Sequence, residues 1–191
     1  MVSAQHEAGA DTQTRGARPR PLVGVSHCLL GARLRYDGDH SLHPLMVATL
    51  GPQVRWAPLC PEERLGMGVP REAVRLIGPQ ARPAMIGQES GRDWSEEMRT
   101  WCAEAVEALA SQGLAGFVLK GRSPSCGLGT TKRWPQAHAA APTRDGTGLL
   151  AEALQTRLPG LPLIEAEDLE DEGACARFLA RVWAYPGEVG P

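Results

Sequence analysis

The chain has 191 residues, 22 acidic against 20 basic side chains and a formal net charge of −2, the size and balance of one globular domain. The slightly acidic balance argues against a general nucleic-acid binder, whose affinity for phosphate backbones rests on a Lys/Arg excess, and leaves room for a local basic patch. No apolar run approaches the roughly 20 residues that span a bilayer, and the N-terminus lacks the apolar stretch of a secretory signal, so a cytoplasmic protein without membrane association is expected.

Residues 1–20, rich in Ala, Gln, Thr, Gly and Arg without apolar periodicity, read as a disordered leader. Residues 21–185 read as the folded domain and 186–191 as a tail. Leu22-Val23-Gly24-Val25-Ser26 is a short apolar strand that ends at His27-Cys28. Leu45–Leu50 has the look of a helical turn, broken by Gly51-Pro52, and Val54–Leu59 reads as a second strand running straight into Cys60. A Gly/Pro-punctuated loop follows. Asp93 is an N-cap with Glu96 three residues on, opening a helix to about Gln112 that Gly113 terminates. Gly116–Leu119 is a third strand, and Lys120–Gly127 is a loop by its Gly and Pro content. Thr130–Gly146 reads as irregular, Leu149–Leu158 as a helix, Leu161–Ile164 as a fourth strand and Asp171–Ala184 as a last helix. Strands alternating with helices predict an α/β fold, an open Rossmann-like parallel sheet with helices on both faces.

Five cysteines, an odd number without an export signal, fit metal binding or catalysis better than a disulfide framework. Cys102 falls in the helical stripe Met98, Cys102, Ala105, Val106, Leu109, and Cys175 keeps the same company with Phe178, Leu179 and Val182, so both read as packing residues. Cys28, Cys60 and Cys126 each follow a different strand. In an open parallel sheet the ligand crevice lies at the carboxyl ends of the strands, so these three thiols are expected to converge there. Three thiolates are one short of a closed zinc or electron-transfer site, and an open metal position is what a Lewis-acid catalyst needs.

Cys28-Leu29-Leu30-Gly31 with Arg35-Tyr36-Asp37-Gly38, then Cys60-Pro61-Glu62, then Leu119-Lys120 and Ser123-Pro124-Ser125-Cys126-Gly127 together resemble the thiouracil desulfidases, over roughly Leu22 to Tyr185. The resemblance implies a 4Fe-4S cluster on Cys28, Cys60 and Cys126, with one iron free of protein ligands. It also implies an enzyme that exchanges a pyrimidine thiocarbonyl sulfur for oxygen, with Glu62 as acid-base group. Beside it stand Ser123 and Ser125 as hydrogen-bond donors or proton-transfer aids and Lys120 as a charge stabiliser; Arg35 and Asp37 are weaker substrate-site candidates. The competing reading makes Glu62 a helix-start carboxylate, Ser123 a turn residue, and Arg35–Gly38 a turn with Gly38 at the positive dihedral. His40 and His43 are expected to face solvent.

Gly66–Arg71 and Phe178–Tyr185 look closest to the subgroup fused to a second domain, whose members resemble enzymes acting on 4-thiouridine in tRNA. Here the chain ends without that domain, so a free thiolated base, nucleoside or nucleotide is expected ahead of tRNA. The segment from Lys132-Arg133-Trp134 onward departs from the usual pattern. A cysteine phosphatase needs arginine six residues after its thiolate, and Cys126 meets Lys132 there while Cys28 meets Leu34. An iron-sulfur sensor or binding protein, or a thiolation enzyme running the reverse chemistry, would use the same three cysteines.

Overall fold

The computed structural model describes residues 19–187. Apart from Pro19 and Arg20, the expected leader lies outside the described residues, as do 188–191 of the tail. The elements in order are β1 (Leu22–Ser26), α1 (Pro44–Leu50), β2 (Arg55–Leu59), the single-turn α2 (Pro61–Arg64), β3 (Val74–Ile77), β4 (Ala84–Gly87), α3 (Ser95–Ser111), β5 (Leu114–Leu119), β6 (Leu128–Trp134), β7 (Thr143–Thr147), α4 (Leu149–Arg157), β8 (Leu163–Glu165) and α5 (Glu172–Ala184).

Four strands form a parallel sheet in the order β2-β1-β5-β8. Its middle is buried on both faces, which is why β1 reads as an unbroken apolar run rather than an alternating one. Phe117 and Leu119 of β5 pack with α3 and α4 through Met98, Cys102, Val106, Leu150 and Leu154. Val118 and Val25 pack on the other face with α1 and α5 through Met46, Leu50, Cys175, Phe178 and Val182. Cys102 and Cys175 are thus fully buried, in opposite cores. Helix starts follow their capping chemistry. Asp171 accepts from the Ala174 N–H at 2.6 Å, whereas Asp93 accepts from the Ser95 N–H at 2.8 Å from just outside the helix, which opens one residue later than expected with Trp94 at the N-cap.

The structure corrects the sequence reading in one large respect. The Gly/Pro-rich stretch after Cys60 contains β3 and β4, and Thr130–Gly146 is not irregular: with β3 and β4 it builds a second sheet, ordered β4-β3-β6-β7. Its inward face puts Val74, Leu76 and Met85 against α3. The inward residues of β6 are polar, Thr131 and Arg133, and so the period-two pattern is hidden from a hydrophobicity reading. They are tolerated because they are satisfied: the Thr131 hydroxyl donates to Ser123 O at 2.9 Å, and the Arg133 guanidinium reaches both carboxylate oxygens of Asp145 at 3.1 and 2.8 Å.

The parallel pairing of β1 with β5 depends on Gly24, which lies opposite Phe117. A Cβ there would sit 2.2 Å from the Phe117 ring, deep in the core. Gly24→Ala is therefore expected to destabilise the fold by about 1–3 kcal/mol, read as a lower urea midpoint at unchanged m-value.

Candidate active site

A cleft of about 940 Å³ opens at the carboxyl ends of β1, β2 and β5. Register is what gathers its cysteines. Ser26, the last residue of β1, lies beside Leu59, the last of β2, and Val25 lies beside Val118, next to the end of β5. Chains leaving those ends carry Cys28 in a single 3₁₀ turn, Cys60 at the start of α2 and Cys126 in the loop after β5, and all three line the cleft. Burial, and next the neighbouring Cys60, push the Cys28 thiol up to about 11; burial likewise raises Cys60, and raises Cys126 well above the ordinary thiol range. Such thiols ionise when a cation joins them and compensates the buried charge.

The Cys126 loop is held by α4. The first N–H groups of a helix have no partners inside it, and here Gly148, Leu149 and Leu150 donate theirs to the carbonyls of Gly127, Pro124 and Ser125, at 2.8, 3.3 and 2.8 Å. A second anchor is Glu165, nearly buried, whose carboxylate accepts from the Leu128 N–H at 2.5 Å and the Thr130 hydroxyl at 2.6 Å. A third is Ser26, which lines the cleft beside Cys126 and accepts from the Lys120 N–H at 3.0 Å.

Among the described residues, Glu62 is the one carboxylate on the wall of this cleft. It sits in the first turn of α2, yet its oxygens turn to side chains: Oε1 accepts from the Ser125 hydroxyl at 2.6 Å, and Oε2 accepts from the Arg71 guanidinium, at 2.9 Å from Nε.

Comparison with known proteins bears on what this geometry is for. Residues 23–166 match the 2-thiouracil desulfurase family. The chain belongs to that family. Among solved structures it is similar to the [4Fe-4S]-dependent thiouracil desulfidase TudS, at 26% identity and a TM-score of 0.66, with 85% of this chain and 99% of that one covered. It is also 29% identical over 113 residues to the uncharacterized protein YbbK of Bacillus subtilis (strain 168), spanning 56% of this chain and 74% of that protein.

The remaining expected site residues of the chain divide into two groups. Lys120 and Ser123 line the cleft with the thiols. The Lys120 ammonium is paired with Glu167 and donates to Gly121 O at 3.0 Å. Ser123 Oγ accepts from the N–H groups of Ser125 and Cys126, each at 3.3 Å, so it braces its own loop while Ser125 meets Glu62. Arg35 reaches the cleft, but Asp37 does not and forms a 2.8 Å ion pair with Arg35. That segment is a turn, with the Gly38 N–H on Arg35 O and Gly38 at φ +76°. His40 and His43 are half-buried rather than solvent-facing, and their Nδ1 atoms accept from the Leu42 and Met46 N–H groups.

Sequence reasoning missed Ser26, Arg71, Glu165 and the cleft wall made by the second sheet. On that wall Arg75, Lys132, Trp134 and Arg144 face the opening, joined by Arg122 from the Cys126 loop. Arg75 lies over the Trp134 ring at 5.6 Å, and its Nε is buried with no hydrogen-bond partner among the described residues. A polar residue closing an apolar strand was the available signal for Ser26; nothing local flagged Glu165.

Because Gly148 touches the Cys126 loop directly, with a built Cβ 2.5 Å from Cys126 N, backbone must move to admit a side chain. Gly148→Ala should leave the fold cooperative but displace Cys126. The expected outcome is a changed rate of Cys126 alkylation under native conditions, measured against the unchanged Cys28.

Proposed function

We propose that this chain is a 4Fe-4S-dependent desulfidase that replaces the thiocarbonyl sulfur of a thiolated pyrimidine with oxygen from water, with Cys28, Cys60 and Cys126 as cluster ligands. What supports it most is that three thiols leaving three neighbouring strands meet in one cleft beside a fixed carboxylate. The donor set suits the group. Three soft sulfur donors that line one cleft suit a multi-iron centre, where each thiolate takes its own iron. Held by Cys28, Cys60 and Cys126, such a cluster would supply Lewis-acidic iron with affinity for the soft thiocarbonyl sulfur.

The chain's own groups then act on water. Glu62 Oε1, held toward the cleft by the Ser125 hydroxyl, takes a proton from the attacking water and later delivers it to the departing sulfur. Lys120 and the Ser123 hydroxyl line the same space as sources of positive charge and hydrogen bonding for the negative charge that develops on the ring. In the net exchange a C–O bond replaces the C–S bond and the sulfur leaves with the two water protons as hydrogen sulfide. No electrons are transferred.

The cationic wall favours a substrate that carries phosphate, a thiolated nucleotide ahead of the free base. Lys132 and Arg144 are directly opposite across β6 and β7, a like-charge pairing that costs stability unless an anion sits against it, and Trp134 beside them offers a stacking face.

Anaerobically reconstituted protein is expected to hold about four irons per chain and to desulfurate 4-thiouracil or 4-thio-UMP. Cys126→Ala should lose both iron and turnover, while Glu62→Gln keeps iron and loses about 10²–10⁴-fold in rate. Iron without turnover would move the reading to a sensor or to thiolation in the reverse direction.

Lys132→Ala combined with Arg144→Ala is expected to raise KM for 4-thio-UMP about tenfold, the worth of one charge-assisted contact, and to leave KM for 4-thiouracil unchanged. Equal effects on both substrates would remove the phosphate from the reading. Faster turnover of thiolated tRNA than of the nucleotide would point to an RNA substrate.

A further inference from the structure

Arg71 is a residue that the desulfidase reading does not require, and its surroundings are unusual for an arginine beside an open cleft. Its side chain is only 3% exposed, against 14% for Glu62. Each of its three side-chain nitrogens donates. Nε and Nη2 both donate to Glu62 Oε2, Nη2 donates also to Leu34 O at 2.9 Å, and Nη1 donates to Gly68 O at 2.8 Å. Its own backbone N–H donates to Tyr36 O at 2.8 Å. Burying a guanidinium and a carboxylate together costs much of what their attraction returns, so stability alone gives weak reason for the pair.

The geometry of the pair supplies a better one. Two carbonyls on separate segments clamp the guanidinium, so it cannot follow Glu62 if that side chain turns. The guanidinium saturates Oε2 and leaves Oε1 as the atom turned to Ser125. Leu34 O also lies 3.9 Å from the Cys60 sulfur, so the same carbonyl that holds Arg71 borders a proposed cluster ligand. We propose that Arg71 is a positioning residue: it fixes the plane of the Glu62 carboxylate so that Oε1, and not Oε2, meets the proton-transfer path. This rests on the desulfidase reading for the meaning of that path, but not for the geometry. Lysine cannot replace it, since one ammonium reaches a point and does not form a planar fork.

The test uses Arg71→Lys and Arg71→Gln in the reconstituted protein, with iron content and circular dichroism confirming loading and folding. Both variants are expected to lose about 10–100-fold in kcat, with KM within twofold of wild type. In a Glu62→Gln background Arg71→Gln should cause no further loss, because the two act as one unit. Full multiplication of the two losses, or wild-type kcat in Arg71→Lys, would overturn the proposal. A crystal structure of cluster-free Arg71→Gln gives a readout apart from turnover. The Glu62–Ser125 hydrogen bond should be gone, and its survival at the wild-type length would equally overturn it. If the wild-type protein loads iron but turns over no thiolated pyrimidine, the desulfidase reading fails by itself and the crystallographic result still decides whether Arg71 aims Glu62.

Discussion

Parallel pairing of β1 with β2 on one side and β5 on the other is the constraint on which the site depends. Parallel strands must all end at the same edge, and the segments that follow them must turn within a few residues of one another. Cys28 and Cys126 are far apart in the chain, yet the register that sets Val25 beside Val118 delivers both to one cleft. The register in turn depends on close backbone packing at the centre, where Gly24 lies under the Phe117 ring. The site is thus assembled by the core and not by contacts among the site residues themselves.

Around the cysteines, polar groups that the fold would otherwise leave unsatisfied are put to use. The N-terminus of α4 needs acceptors, and the carbonyls of the Cys126 loop provide them. Glu165 sits at the end of β8 with little access to water and binds the start of β6 to the same loop. Each satisfies a buried group and ties down the Cys126 loop in one stroke, although the loop's Gly and Pro content gives it no regular structure.

The second sheet changes the character of the cleft. A parallel sheet alone would offer three thiols at an open edge. The wall of β3, β6 and β7 adds depth, an aromatic face at Trp134 and a group of cations in a chain whose net charge is slightly negative. Charge that averages to nearly zero over the whole chain is concentrated as cations on one wall of the cleft.

Strands with unbroken apolar runs, the long helices, the division of five cysteines into three that line the cleft and two packed in the cores, and the sheet edge at which the cleft opens were all legible in the sequence. Local periodicity and chain alternation carry that information, and they survive without knowledge of distant contacts. The second sheet was not legible, because its inward residues Thr131 and Arg133 are polar and acceptable only through partners at Ser123 and Asp145. The grip of Arg71 on Glu62 was hidden for a related reason. It joins Leu34, Glu62 and Gly68 from three segments, and a hydrogen bond between segments leaves no periodic trace in either. Sequence determined which residues could do chemistry and at which end of the sheet they stand; only the tertiary structure decided which oxygen, which hydroxyl and which guanidinium face one another, since those choices are made by packing across the chain.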